Sequence, residues 1–233
     1  MAAVNRLLSL LPKDAYRRLQ PQLEHVVLQK SKVLYDVGDV MTYAYFPISG
    51  MVSLLAMTRA GEMVEVAIVG SDGVIGLPIV LYATTVPYRV VVQITGSAWR
   101  IRSETFRQEF TREAALQEVL LRYTHRLVGQ ISQSAVCHHF HTVSQRLCRW
   151  LLMAHDCIDT DTVDLTQEFL SHMLGVPRTT VSAAAVELQD AAVIRYRRGR
   201  ITILNRKRLE ASACECYGIV RRDIGQFPPA RMR

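Results

Sequence analysis

The chain has 233 residues, enough for one or two domains with cores of their own, and its 49% apolar and 21% charged content is that of a folded globular protein, not a disordered one. No apolar run is long enough to cross a bilayer and the N-terminus lacks a cleavable signal pattern; five cysteines in a chain expected in the cytoplasm argue against a disulfide framework. The net charge is +7 and unevenly spread: residues 165–208 hold eight Arg or Lys against three acidic residues, an excess that suits a polyanionic partner.

In chain order, Leu7, Leu8 and Leu11 recur at helical spacing before Arg17 and Arg18, which predicts a short amphipathic helix. Residues 24–102 then read as short β-branched and aromatic runs: EHVVLQKSKVLYDVGD, YAYFPISGMVSLLAMT, EMVEVAIVG and VPYRVVVQITGSAWRI. Turn signals punctuate them at Gly38-Asp39, Pro47, Ser49-Gly50, Ala60-Gly61, Gly70 to Gly73 and Thr95-Gly96-Ser97. That rhythm predicts an antiparallel sandwich or barrel, with one helical turn interrupting it between Val74 and Tyr82. From Ser103 the period is helical. Leu116, Leu120, Tyr123, Leu127, Gln130 and Ser134 follow the spacing of a two-stranded coiled-coil seam, which predicts a homodimer interface; the competing reading is a long helix lying on its own domain. VSQRLCRWLLMAHD is a separate helix with Val143, Leu147, Leu151 and Ala154 on one stripe, and Asp159 to Asp161 are polar linker.

The stretch DLTQEFLSHMLGVPRTTVSAAAVEL is the most informative. Thr166 suits an N-cap, Glu168 the first turn that follows, Gly175 a helix stop and Pro177 a fresh start. Leu170, Leu174, Val176, Val181 and Ala184 supply the contacts between two steeply crossed helices, with small Ser171 at their approach. The polar residues left at the start of the second helix are Arg178, Thr179, Thr180 and Ser182, the positions that face the major groove in a helix-turn-helix. Beyond it, AAVIRYRRGRITILN predicts two strands around Arg198-Gly199, a wing whose Arg195, Arg197, Arg198 and Arg200 suit phosphates. Double-stranded DNA is the expected partner.

This order resembles the Crp/Fnr family of bacterial transcription regulators over nearly the whole chain. YFPISGMVSL and VGSDGVIG in the sheet, the RLCRWLL helix and the helix-turn-helix with its wing carry the resemblance. It implies an α+β fold with an N-terminal antiparallel β-barrel of cyclic-nucleotide-binding, jelly-roll type over 1–110, a dimerisation helix and hinge over 111–140, and a winged helix-turn-helix over 141–233. It also implies a homodimer presenting its recognition helices to successive major grooves about 34 Å apart, with RNA polymerase as a further partner and no enzymatic activity. Carried over by position, Arg178 matches a reader of guanine, Thr166, Gln167 and Thr180 match phosphate contacts, and Ser182 a base-proximal serine. Thr179 stands where many relatives have glutamate and Ala183 where they have arginine, so the operator should differ from the best-known family sites.

The family's cyclic-nucleotide cassette has Gly-Glu, then Arg followed by a small residue. In this chain Gly76 is followed by Leu77 and Arg89 by Val90, and the lost carboxylate is worth roughly 1.5–3 kcal/mol at a ribose hydroxyl. The effector pocket, with Ile131 and Ser132 near any ligand, is therefore degenerate and not expected to use cAMP in the usual way. The effector is open. The first cysteine is Cys137, too late for the N-terminal cluster of oxygen-sensing relatives, so no iron–sulfur centre is expected. Cys137 and His141 share a helical face and frame an alternative, a metal- or redox-sensing regulator; Cys214 and Cys216 are expected to point apart, and no metal site is assigned. Cys148 and Cys157 carry no assigned role. Further alternatives are an enzyme or metal-binding barrel with an accessory DNA-binding domain, though no HExxH, P-loop or nucleophile elbow is present, and a structural dimerisation module whose basic face meets another protein.

Overall fold

The alternating stretch folds into five antiparallel strands in the computed structural model, which describes residues 5–158 and 160–225. They are β1 (Glu24–Leu28), β2 (Val33–Tyr35), β3 (Tyr43–Met57), β4 (Met63–Val69) and β5 (Arg89–Arg102), ordered β1-β5-β3-β4 with β2 also on β5. The jelly-roll expectation fits in outline, but the sheet does not close into a barrel: among the described residues β1 and β4, the two ends of the hydrogen-bonded path, do not pair with each other.

Two expected turns are absent. Ser49-Gly50 and Thr95-Gly96-Ser97 lie inside the long strands β3 and β5. Gly50 has φ +78°, and a Cβ on it would meet the Ile94 carbonyl at 2.5 Å, while one on Gly96 would meet the Ser49 carbonyl at 2.1 Å. Glycine at these two places allows the strands to pass close together; it does not reverse them. At the N-terminus two short helices replace the single expected one: α1 (Arg6–Ser9), capped by Asn5, and α2 (Lys13–Leu19), which starts at Pro12 because proline fits the beginning of a helix and not its middle. A one-turn helix does interrupt the strands, α3 (Leu77–Val80).

Helix α4 (Ser103–Arg112) sends Phe106 into the sheet, edge-to-face with Phe46 at 5.7 Å. It is followed by the long α5 (Ala114–Phe140). Contacts divide the chain into two compact units, one of residues up to 54 and 67–128, the other of residues 55–66 and 129–224. In the first, Leu116, Leu120, Tyr123 and Leu127 are all buried in the chain's own fold. Tyr123 packs its hydroxyl against Gly73, and Arg126 reaches back to Asp72 at 2.7 Å. In the second, Ser134 is buried under Arg149 and Gln130 is half-buried. The expected seam is therefore used internally, as in the competing reading, and the correction is one of phase. The exposed stripe of α5 runs one or two positions later, through Leu121, His125, Val128, Ser132 and Val136.

The second unit continues with α6 (Val143–Asp156), opened by a capping box of Thr142 and Gln145 and burying Leu147, Trp150 and Leu151. The linker expected at Asp159 to Asp161 is described only from Thr160, Asp159 lying outside the described residues. Next come β6 (Thr162–Asp164), α7 (Gln167–Leu174), α8 (Arg178–Asp190), the hairpin β7 (Ile194–Arg197) and β8 (Arg200–Ile203), then α9 (Arg206–Ser212) and α10 (Cys216–Gly225). Strand β6 was not legible as a strand; it pairs with β8 to make a three-stranded sheet of order β6-β8-β7.

Candidate nucleic-acid interface

The crossed helix pair forms where the local signals place it. The Thr166 hydroxyl accepts from the Phe169 amide at 3.1 Å, and Gly175, at φ +60° in the left-handed region, ends α7. Pro177 then occupies the cap position of α8. Leu170, Leu174, Val181, Ala184 and Ala185 are buried between the helices and the unit's core, and Ser171, also buried, is turned back onto the Glu168 carbonyl. With one side of α8 so occupied, Arg178, Thr179, Thr180 and Ala183 lie on the exposed side, with Ser182 half-buried beside them.

Thr166, Gln167, Glu168 and Arg178 line one cleft with Tyr196 and Arg198, about 540 Å3 in volume, between the start of the helix pair and the hairpin turn. That turn is made by Arg198 and Gly199, both at positive φ (52° and 73°), the backbone of a tight two-residue hairpin connection. Thus the turn that forms the wing also carries Arg198 into the cleft. A second cleft of about 480 Å3 is lined by Arg195, Arg197, Arg198 and Arg200 with Asp164 and Thr202. Four guanidiniums facing one carboxylate leave a strongly positive surface there.

Several partners of these side chains were not foreseen. Arg178, 57% exposed, is ion-paired with Glu168 across the turn. The Ser182 hydroxyl donates to the Arg178 carbonyl at 2.9 Å. Arg200 pairs with Asp164 at 2.9 Å, directly across the β6–β8 ladder, and with β6 recognised that register is the signal that would have found the pair. Tyr196, whose hydroxyl donates to the Leu165 carbonyl at 3.2 Å, is a wall of the cleft that charge patterning could not suggest; burial raises its phenol above the usual range.

The residues expected at an effector pocket belong to several elements. Gly76, at φ +108°, precedes α3, whose four residues from Leu77 to Val80 are all buried, so an apolar turn stands where the cassette has its glutamate. Arg89 is gripped by both oxygens of Asp36, Nε at 3.1 Å and Nη2 at 2.5 Å. The Arg89 guanidinium holds the Asp36 carboxyl below the usual carboxylate range. A phosphate ligand would have to displace that carboxylate. Ile131 is half-buried and Ser132 exposed, both on the second unit's part of α5.

One expectation is overturned outright. Cys214 and Cys216 do not point apart, because the helix begins only at Cys216; Cys137, Cys214 and Cys216 form one buried cluster, with His141 beside them.

The fold and this surface define a class: a cyclic-nucleotide-binding-like sheet domain followed by a winged helix-turn-helix DNA-binding module. The cyclic nucleotide-binding domain model matches residues 25–113 and the Crp-like helix-turn-helix domain model matches residues 145–212, which together take in most of the chain. The chain belongs to the Crp/Fnr family of transcription regulators. Its fold is shared with FixK2 from Bradyrhizobium japonicum (TM-score 0.70, 16% identity, 82% of this chain and 98% of that one). It is shared likewise with a CRP-family transcriptional regulator from Thermus thermophilus (0.66, 15%, 81% and 96%). A third is the c-di-GMP responsive global regulator CLP of Xanthomonas campestris (0.68, 14%, 83% and 100%). No curated protein sequence matches the chain. Among the described residues no helix is long and apolar enough to cross a membrane.

Proposed function

We propose that the chain acts in the cytoplasm as a sequence-specific regulator that binds a pseudo-palindromic operator as a homodimer, with an effector pocket that does not take cAMP in the usual way. One observation carries this reading. Thr166, Gln167, Arg178 and Arg198, drawn from the helix pair and the wing, line a single open cleft. In it Arg178 reads a base edge, while hydroxyl, amide and wing guanidinium take phosphates. The second copy docks along Leu121, Val128 and Val136, large apolar side chains left 54%, 57% and 43% exposed on a helix whose other face is buried. The division at 1–110, 111–140 and 141–233 is kept as the functional one: sensor, dimer helix and DNA module.

Against cAMP stand the apolar α3 and the Asp36 grip on Arg89. A c-di-GMP responsive protein shares the fold, so another ligand class fits the reading. Selection of binding sites from random duplex DNA, followed by titration at two salt concentrations, tests the proposal. The expected result is an enriched two-fold symmetric motif bound at least about a thousandfold more tightly than random DNA. Uniform binding without a symmetric motif overturns it.

A further inference from the structure

We propose that Cys137, His141, Cys214 and Cys216 hold a single zinc ion that clasps the end of α5 to the start of α10. The four residues come from two segments far apart in sequence, and their ligand atoms all lie within 4.8 Å of one another. Cys137 Sγ is 3.5 Å from Cys214 Sγ, and Cys216 Sγ is 3.5 Å from His141 Nδ1. Around zinc, sulfurs at about 2.3 Å in a tetrahedron stand roughly 3.8 Å apart, so the cluster needs only small side-chain adjustments.

The surroundings are those of a ligand set, beyond mere packing. His141 turns Nδ1 inward while its Nε2 meets Glu215 Oε1 at 3.2 Å. A carboxylate behind the far nitrogen fixes the tautomer and strengthens the near one as a ligand. Gln133 Nε2 donates to Cys216 Sγ at 3.0 Å, the kind of support a metal-bound thiolate receives. Charge points the same way. Arg146 and Arg149 are more than nine-tenths buried, each has an Nε without a hydrogen-bond partner, and among the described residues no carboxylate pairs with either. Three thiolates, one neutral imidazole and a divalent cation sum to one negative charge, which partly offsets those two buried cations.

Thiolate and imidazole donors in a closed four-ligand set select zinc over magnesium or calcium. Donors converging this tightly hold one ion and not a cluster. Binding forms three Zn–S bonds and one Zn–N bond, and each thiol that enters protonated releases its proton to water. A disulfide between Cys137 and Cys214 is the competing outcome, yet it leaves His141, Glu215 and Cys216 unexplained.

The test reads metal and not DNA, so its failure is separate from that of the operator reading. Full-length reduced protein is titrated with cobalt(II), then with zinc. One equivalent of cobalt is expected to give tetrahedral ligand-field bands with thiolate charge transfer, displaced by one equivalent of zinc. Cys214→Ser should lose the cobalt spectrum, and Glu215→Gln should weaken zinc about 10–100-fold. Cys148→Ala should bind as the wild type, since Cys148 lies outside the cluster and burial pushes its thiol up to about 12. Wild-type protein without that spectrum, a spectrum unchanged in Glu215→Gln and in folded Cys214→Ser, or thiols that only form a disulfide overturns the site.

Discussion

Arg178 faces Glu168 in the free chain, so reading a base means exchanging one partner for another. The exchange is favourable on magnitudes. An exposed ion pair contributes less than about 1 kcal/mol, whereas a bidentate arginine on guanine is worth about 1–3 kcal/mol of discrimination. Arg178→Ala should therefore cost about 1–3 kcal/mol on the selected operator and little on random duplex. Parallel titrations decide it, and equal losses on both DNAs would remove the base-reading role. Thr166 has a double duty that its hydroxyl can meet: it accepts from the Phe169 amide and keeps its own proton for a phosphate. Thr166→Ala should cost about 0.5–2 kcal/mol of stability as well as DNA affinity, while Thr166→Ser should retain both. Thermal melts of the two variants separate these outcomes.

Helix α5 shows what a sequence can and cannot reveal about an element. Its 3-4 period was legible, but its phase was not, since Leu and Val occupy two adjacent stripes and only tertiary packing decides which is covered. Leu127 is 6% exposed and Val128 57%. Val128→Asp should thus give folded monomers in sedimentation, with weakened operator binding, whereas Leu127→Asp buries a carboxylate and should lower stability first, by several kcal/mol. Folded Leu127→Asp monomers beside a Val128→Asp dimer would return the interface to the first stripe. The helix pair and wing were legible because their determinants are local: the Thr166 cap, left-handed Gly175, Pro177 and the Arg198-Gly199 turn fall within 34 residues. Strand continuity through Gly50 and Gly96 was not, because the need for glycine is set by the neighbouring strand's carbonyl. The thiol cluster was hidden for the same reason, Cys137 and Cys214 being 77 residues apart.

At the scale of the whole molecule the net charge of +7 is a poor guide to affinity, because it does not say which basic side chains are available: Arg89 pairs with Asp36, Arg126 with Asp72 and Arg206 with Asp156 within the fold. At the wing, Arg195, Arg197 and Arg198 share a cleft with Asp164, itself engaged by Arg200, so positive charge is in excess there. Counterion release then makes binding depend steeply on salt, log K falling with log salt at about −0.9 for each phosphate neutralised. A dimer carries two copies of each arginine. Arg198→Ala should therefore flatten the slope by about 2 on operator and random DNA alike, leaving their affinity ratio intact. That signature is the converse of the one expected for Arg178→Ala. Titrations over a range of salt concentrations measure both, and an Arg198→Ala slope equal to the wild type would show that the wing turn stays off the phosphates.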